Sequence, residues 1–309
     1  MSEIAVILPC YNEEAAIGNT VRAFREALPG AQVYVYDNNS KDRTAEVARA
    51  AGAIVRTEVR QGKGNVMRRM FADVEADIYV LADGDDTYDA SAAPAMIRKL
   101  EDEGLDLVTG RRVHTESAAY RAGHVLGNKM LTGLTSIMFR VRLLDMLSGY
   151  RIMSRRFVKS FPFTAAGFGI ETELTVHAVR LMMPMAEVDT AYKERPAGST
   201  SKLNTYRDGF RILFTILQLV REERPLVFFS AIAALLTAVS LGFGWSLLIE
   251  FIHTGLVPRL PTALLATGLI IIAFLALMSG LILDTVTRGR WESKRMAYLA
   301  LGGPQSRSQ

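Results

Sequence analysis

The stretch Asp77-Ile-Tyr-Val-Leu-Ala-Asp83-Gly-Asp85-Asp86 decides the fold. Its first half is a β-rich apolar run of strand length, and it stops in a turn of three carboxylates around one glycine. The same pattern recurs upstream. Glu3–Pro9 predicts a strand ending in Pro9-Cys10-Tyr11-Asn12-Glu13, and Gln32–Asp37 predicts another ending in Asp37-Asn38-Asn39-Ser40. Between and after them come helical patterns: one capped by Asn12, with Glu13 and Glu14 in its first turn; one opened by Ser40 or Asp42 and closing near Gly52; and one from Lys63 to Glu75. A short strand at Ala53–Thr57, a helix at Ser91–Glu103 and a strand at Leu105–Thr109 continue the alternation. Alternation of this kind predicts an α/β fold, a Rossmann-like and mostly parallel sheet with helices on both faces. Ligands in such sheets bind beyond the carboxyl ends of the strands, where three polar strand ends are expected to meet.

The residue types at those ends suit particular chemistry. Asp83 and Asp85, two apart at a strand end, can hold a hard divalent ion, Mg2+ or Mn2+, which in turn binds diphosphate oxygens. Asp37 can accept a hydrogen bond from a base N–H. Lys63, in the turn Gln61-Gly62-Lys63-Gly64, suits phosphate oxygens at a helix start; the turn does not match the Walker P-loop, which disfavours ATP hydrolysis of that kind. The single cysteine, Cys10, excludes an internal disulfide framework and a multi-Cys zinc site, and reads as a small buried residue. The four histidines never fall at ligand spacing.

Half of the 309 residues are hydrophobic, and the surplus is concentrated near the C-terminal end. Residues 226–249 and 263–283 carry no charge, and each is long enough to cross ~30 Å of hydrocarbon. The turn between them, 250–262, has one basic residue, Arg259, whereas Arg221 and Arg224 precede the first span and Arg288, Arg290, Lys294 and Arg295 follow the second. The positive-inside rule puts both flanks in the cytoplasm. The start, MSEIAVILP, reads as a strand and not as a signal peptide. The expected organisation is a cytoplasmic catalytic domain at 1–202, an amphipathic juxtamembrane helix at 203–225, transmembrane helices at 226–249 and 263–283 flanking the external turn, and a cytoplasmic tail at 284–309. The location expected is the inner (plasma) membrane, multi-pass, with both termini cytoplasmic. A further segment, Gly127–Leu147, reads as an amphipathic helix.

Six stretches in order, VILPCYNEE (6–14), YDNNSKDRT (36–44), LADGDD (81–86), TGRR (109–112), DMLSGYRIMSRR (145–156) and RPAGSTSKL (195–203), resemble family 2 glycosyltransferases with the A-type nucleotide-sugar-binding fold. Within them the chain looks most like polyprenyl-phosphate glycosyltransferases related to dolichyl-phosphate mannose synthase. The resemblance implies that Pro9, Tyr11, Glu13 and Asp37 line a nucleoside pocket and that Asp83 and Asp85 are the metal pair. Arg111, Arg195, Ser201 and Lys202 would contact phosphate groups, and Arg121 and Asn128 would face the lipid phosphate. Asp145 and Glu171 are the remaining carboxylates in family-like motifs, one of them acting as base or orienting the acceptor, or each forming a structural ion pair. The implied reaction is inverting transfer of one sugar from a nucleotide-sugar, UDP preferred over GDP, to polyprenyl phosphate. The bilayer is a partner, nucleic acid is not, and a homo-oligomer is expected. Two departures stand out: Asn38 replaces a frequent second Asp, and Thr87 stands where a metal-contacting Gln is common. The rivals are a processive polysaccharide synthase, against which Thr287-Arg288-Gly289-Arg290-Trp291 lacks the Gln of the chain-binding motif; a nucleotidyltransferase; and a non-catalytic membrane scaffold.

Overall fold

The computed structural model describes residues 2–114, 122–162, 169–193, 214 and 217–303. The chain divides into two compact units, Met1–Ile212 with Lys294–Gln309, and Leu213–Ser293. In the first unit the described strands β1 (Ile4–Cys10), β2 (Gln32–Asp37), β3 (Ile54–Thr57), β4 (Ile78–Leu81), β5 (Leu107–His114), β6 (Arg151–Ser154) and β7 (Met185–Tyr192) form one sheet in the order β3-β2-β1-β4-β6-β5-β7. Every described pairing is parallel except those of β6, which lies antiparallel between β4 and β5. The mostly parallel sheet expected from the alternation is therefore present, with one reversed strand.

Helices cover both faces, so the central strands are buried on both sides and read as continuous apolar runs. Val6 and Leu8 of β1 pack into the core with Ile17, Val21 and Phe24 of α1 (Ile17–Ala27) and with Met96 and Leu100 of α4 (Ala93–Asp102). α3 (Lys63–Asp73) packs on β1 and β2 and against α6 (Arg155–Ser160) and α7 (Ile170–Arg180). Pro9 has no N–H to give a ladder, and it lies beyond the last β1–β4 pair, Ile7↔Leu81, where it faces β2 alone.

Three expectations need correction. Asn12 does not cap α1, which begins at Ile17. Its backbone is left-handed (φ 52), its N–H donates to Ser40 Oγ at 2.9 Å, and its Oδ1 accepts the Lys41 N–H at 2.8 Å. Likewise Glu13 donates its N–H to Thr44 Oγ1 and Glu14 donates to Asp42, so the polar residues after β1 and β2 bond each other; Asp42 Oδ1 also accepts the Thr44 N–H at 3.0 Å, at the start of the helix that Ser40 or Asp42 is expected to open. α2 (Thr44–Ala50) thus starts after Ser40 and Asp42. Second, Gly127–Leu147 is not one helix: α5 (Ala122–Phe139) stops before Arg140, whose φ of 56 breaks it. The following N–H groups of Leu144 and Asp145 donate to the Glu187 carboxylate. Third, β5 runs on to His114 because β7 pairs along its whole length.

Asp106 sits just before β5, at the sheet end opposite the carboxyl ends of β1, β2 and β4. Fully buried, its carboxylate accepts from Ser154 Oγ (2.6 Å), from Arg156 Nε and Nη2 (2.6 and 2.7 Å), and from the Tyr298 hydroxyl (2.8 Å). The Arg156 guanidinium lies 4.7 Å from the Tyr298 ring centroid.

The second unit holds two helices long and apolar enough to cross a membrane: α8 (Pro225–Thr254) and α9 (Leu260–Leu299), whose last residues belong to the first unit. Gly255, with φ 69, ends α8 in a left-handed cap whose N–H returns to Phe251 O. The helices extend past the charge-free runs at both sides of the turn. Their buried residues recur every seven positions: Ala233, Ser240 and Leu247 on α8; Ala266, Ala273, Gly280 and Thr287 on α9. Ser240 Oγ donates to Ala266 O at 2.7 Å, and a Cβ at Gly280 would lie 2.8 Å from Phe229 Cβ.

Candidate active site

The order β3-β2-β1-β4 puts the carboxyl ends of β2, β1 and β4 side by side, with Cys10 opposite Asp37 and Ile7 opposite Leu81. Asp37 closes β2 and is buried. Its Oδ2 accepts the Ser40 N–H at 3.3 Å, but Oδ1 has no partner. A buried acceptor left unpaired is costly, and an N–H from a bound ligand would satisfy it. Pro9 is the last but one residue of β1, opposite Tyr36; Tyr11 and Glu13, both half-buried, follow in the loop that is bonded to the β2–α2 turn.

The acidic turn stands one strand away. Lys63, on the first turn of α3, donates to Asp83 Oδ1 and, at 2.6 Å, to Glu171 Oε1 at the start of α7. Burial alone would lower the Lys63 pKa, but the two carboxylates outweigh it and raise it. Burial would raise Glu171, yet Lys63 holds it below its ordinary value; for Asp83 burial prevails and lifts the carboxyl. Asp85 is buried, and its Oδ1 accepts both the N–H and the hydroxyl of Thr87. Thr87 therefore orients Asp85.

Two glycines allow this packing. A Cβ at Gly84 would lie 2.4 Å from Cys10 Sγ, and one at Gly149 would lie 2.6 Å from Asp83 Oδ2. Cys10 is buried as expected, under the acidic turn. Gly149→Ala is expected to push the Asp83 carboxylate off Lys63, lowering turnover at least ~10-fold and stability by about 1–3 kcal/mol; turnover and thermal unfolding measured together check this.

These residues fit a divalent ion of a particular kind. Among the described residues no three His, Cys, Asp or Glu side chains cluster to form a closed cage. What is present is a carboxylate pair beside a crevice, already holding the Lys63 ammonium on Asp83. Such a set suits an ion that shares its coordination with substrate phosphates.

The arginines separate by strand alternation. Arg111 and Arg112 are adjacent in β5 and point to opposite faces. Arg111, the one expected to bind phosphate, makes a two-pronged ion pair with Asp189 at the surface. Arg112 is the buried one, its side chain 14% exposed: Nε and Nη2 each donate at 2.8 Å to Asp145, and the guanidinium lies over Tyr192, 5.7 Å from its ring centroid. Tyr192 packs on Tyr88, whose hydroxyl accepts the Gly149 N–H next to Asp83. Arg112 is thus on the side of the acidic turn. Strand alternation shows from sequence that the two neighbouring arginines face opposite ways, but not which of them turns inward.

Arg151 was also missed. Fully buried at the start of β6, it donates to the carbonyls of Ser148, Met146 and Glu171 and to Thr175 Oγ1, tying the Asp145 loop to α7. Arg121, Arg195, Ser201 and Lys202 lie outside the described residues, as does most of the 203–225 segment. Asn128 falls on α5, its side chain likewise outside what is described.

The profile of Glycosyl transferase family 2 matches residues 5–161. The chain is 30% identical to Glycosyltransferase AglJ of Haloferax volcanii over 96% of its own length and 98% of that protein. It is 30% identical to the Dolichyl-phosphate hexose transferase of the same organism, over 72% of this chain and 96% of that one. Among solved structures, glucosyl-3-phosphoglycerate synthase from Mycobacterium tuberculosis in complex with Mn2+, UDP and glucosyl-3-phosphoglycerate superposes with a TM-score of 0.55 at 26% identity, covering 71% of this chain and 79% of that one.

Proposed function

The chain belongs to glycosyl transferase family 2, and from that premise we propose that it moves one sugar from a nucleotide-sugar, UDP-linked by preference, to a polyprenyl phosphate at the cytoplasmic face of the inner membrane, inverting the anomeric carbon. One observation carries the choice of a lipid acceptor: α8 and α9, both of membrane-crossing length, are continuous with a family 2 transferase unit. A relative named as a dolichyl-phosphate hexose transferase supports the same choice. A transferase acting on a soluble acceptor needs no such hairpin. The spans are proposed at 226–249 and 263–283, with both flanks cytoplasmic and the catalytic unit operating as a homo-oligomer.

In this reading the unpaired Asp37 oxygen accepts an N–H of the base, with Pro9, Tyr11 and Glu13 around the nucleoside. Asp83 and Asp85 are the residues that would hold Mg2+ or Mn2+; the ion, when bound, offsets negative charge on the departing diphosphate. The solved relative with Mn2+ and UDP bound supports this assignment. A phosphate monoester carries about −1.5 to −2 at neutral pH and needs no strong base to attack. What it needs is relief from repulsion by an anionic donor, and the cations of this chain provide it. Arg112 is proposed in place of Arg111 as the β5 cation toward the phosphates, joined by Arg195, Ser201 and Lys202, with Arg121 and Asn128 toward the lipid phosphate. Asp145 and Glu171 are assigned to holding Arg112 and Lys63, because each already pairs with that cation.

The test is incubation of the purified full chain with radiolabelled UDP- and GDP-sugars and undecaprenyl phosphate. A glycolipid bearing one sugar is the expected product. A polymer, or transfer only to a soluble acceptor, would overturn the reading.

A further inference from the structure

Asn38 is buried at the end of β2, next to Asp37. Its side-chain amide has three partners, all in one loop. Nδ2 donates at 2.8 Å to Glu58 O and at 2.8 Å to Arg60 O, and Oδ1 accepts the Gly62 N–H at 2.7 Å. Two carbonyls face the nitrogen and one N–H faces the oxygen, so only one orientation of the amide satisfies all three. Asn39 adds a fourth tie, donating to Val59 O at 2.8 Å from a left-handed backbone. The loop held in this way runs from the Asp37 carbonyl, which accepts the Glu58 N–H, to Gly62, the residue that starts α3 immediately before Lys63.

We infer that Asn38 is a positioning residue: it fixes the 58–62 loop as a wall of the donor pocket and thereby sets Lys63 between Asp83 and Glu171. These partners suit an amide and not a carboxylate. A carboxylate at this point would turn an oxygen toward the Glu58 and Arg60 carbonyls and could donate to neither. The buried amide is occupied by the loop, so its effect on the donor is exerted through the loop and Lys63, not by contact. Gly62, with φ 124, is suited to the sharp entry this requires.

The inference rests on the nucleotide-sugar reading for its functional half, and the experiment separates the two. In Asn38→Asp, the isosteric change, the Gly62 amide is expected to exchange its hydrogen at least about tenfold faster. The KM for nucleotide-sugar and the Kd for UDP with Mn2+ are expected to rise at least about tenfold, while the KM for polyprenyl phosphate stays within about twofold. General destabilisation would move both substrates together. If Asn38→Asp does not fold, Asn38→Ala removes both donations and the Gly62 bond as well, without adding charge, and is read in the same way. Unchanged exchange at Gly62, or faster exchange with unchanged donor and UDP affinity, or equal changes for donor and acceptor, would each overturn the role. A wild-type chain that binds UDP but transfers no sugar to lipid would count against the acceptor reading, with the Gly62 and UDP measurements still deciding on Asn38.

Discussion

Asp85→Asn is expected to lower sugar transfer by about 10²–10³-fold while leaving the fold in place, and EDTA is expected to silence the wild-type chain to a similar extent. The substitution is chosen for what it keeps. An asparagine can still turn its carbonyl oxygen to Thr87, whose N–H and hydroxyl now bond Asp85 Oδ1, so the turn survives. What it removes is the charge, and with it half of the carboxylate pair proposed to hold the ion. The comparison with Thr87→Val is informative: that change removes the hydroxyl bond to Asp85 but keeps the N–H bond and the charge, and a smaller loss is expected. Turnover with the best nucleotide-sugar, with circular dichroism on the same samples, makes the measurement. Full activity of Asp85→Asn, or undiminished turnover in EDTA, would remove the metal assignment.

The largest effect on stability is expected far from the chemistry. Asp106→Ala should cost about 3–5 kcal/mol, because it leaves the Arg156 guanidinium without the carboxylate it pairs with inside the protein. Tyr298→Phe removes a single hydroxyl bond to the same carboxylate and should cost about 1 kcal/mol. Chemical unfolding of the full chain in detergent reads both. Equal stability of Asp106→Ala and wild type would show that this cluster contributes little. The ordering also tests whether residues beyond 293 are part of the catalytic unit: if Tyr298 is seated on Asp106 in solution, the double variant should cost less than the sum of the two single changes.

Much of this was legible beforehand, for identifiable reasons. Continuous apolar runs ending in polar turns announced β1, β2 and β4, and parallel pairing then brought their ends together without further information. Asp37, Lys63, Asp83 and Glu171 were each named from motif or resemblance. That one ammonium bridges Asp83 and Glu171 was not legible, because the two carboxylates come from turns 88 positions apart in sequence (171 − 83). The Asn12 cap failed for a related reason: Asn12 and Ser40 bond across the loop, which a local rule cannot see, whereas Asp42 does meet the Thr44 N–H at the start of α2. Arg112 was passed over in favour of Arg111 although two neighbours in a strand must face opposite ways; only the ion pairs with Asp145 and Asp189 say which side is which. Arg151 read as one more basic residue of a motif, and its complete burial depends on α7, far along the chain.

If α8 and α9 span the membrane as proposed, the seven-residue repeat of small side chains between them has a consequence for how the pair would behave in lipid. A spacing of seven falls short of two full helical turns, so two rods that keep such a seam closed must wind left-handed about each other. Because the buried seam is mostly alanine, glycine, serine and threonine, with Leu247 in it and Phe229 against Gly280, the attraction comes largely from main chains lying close together. Most of the bulky leucines, isoleucines and phenylalanines are left on the outside. Those outer positions are free to be exchanged for whatever bilayer thickness or neighbour the protein meets, while the pair stays zipped on its own.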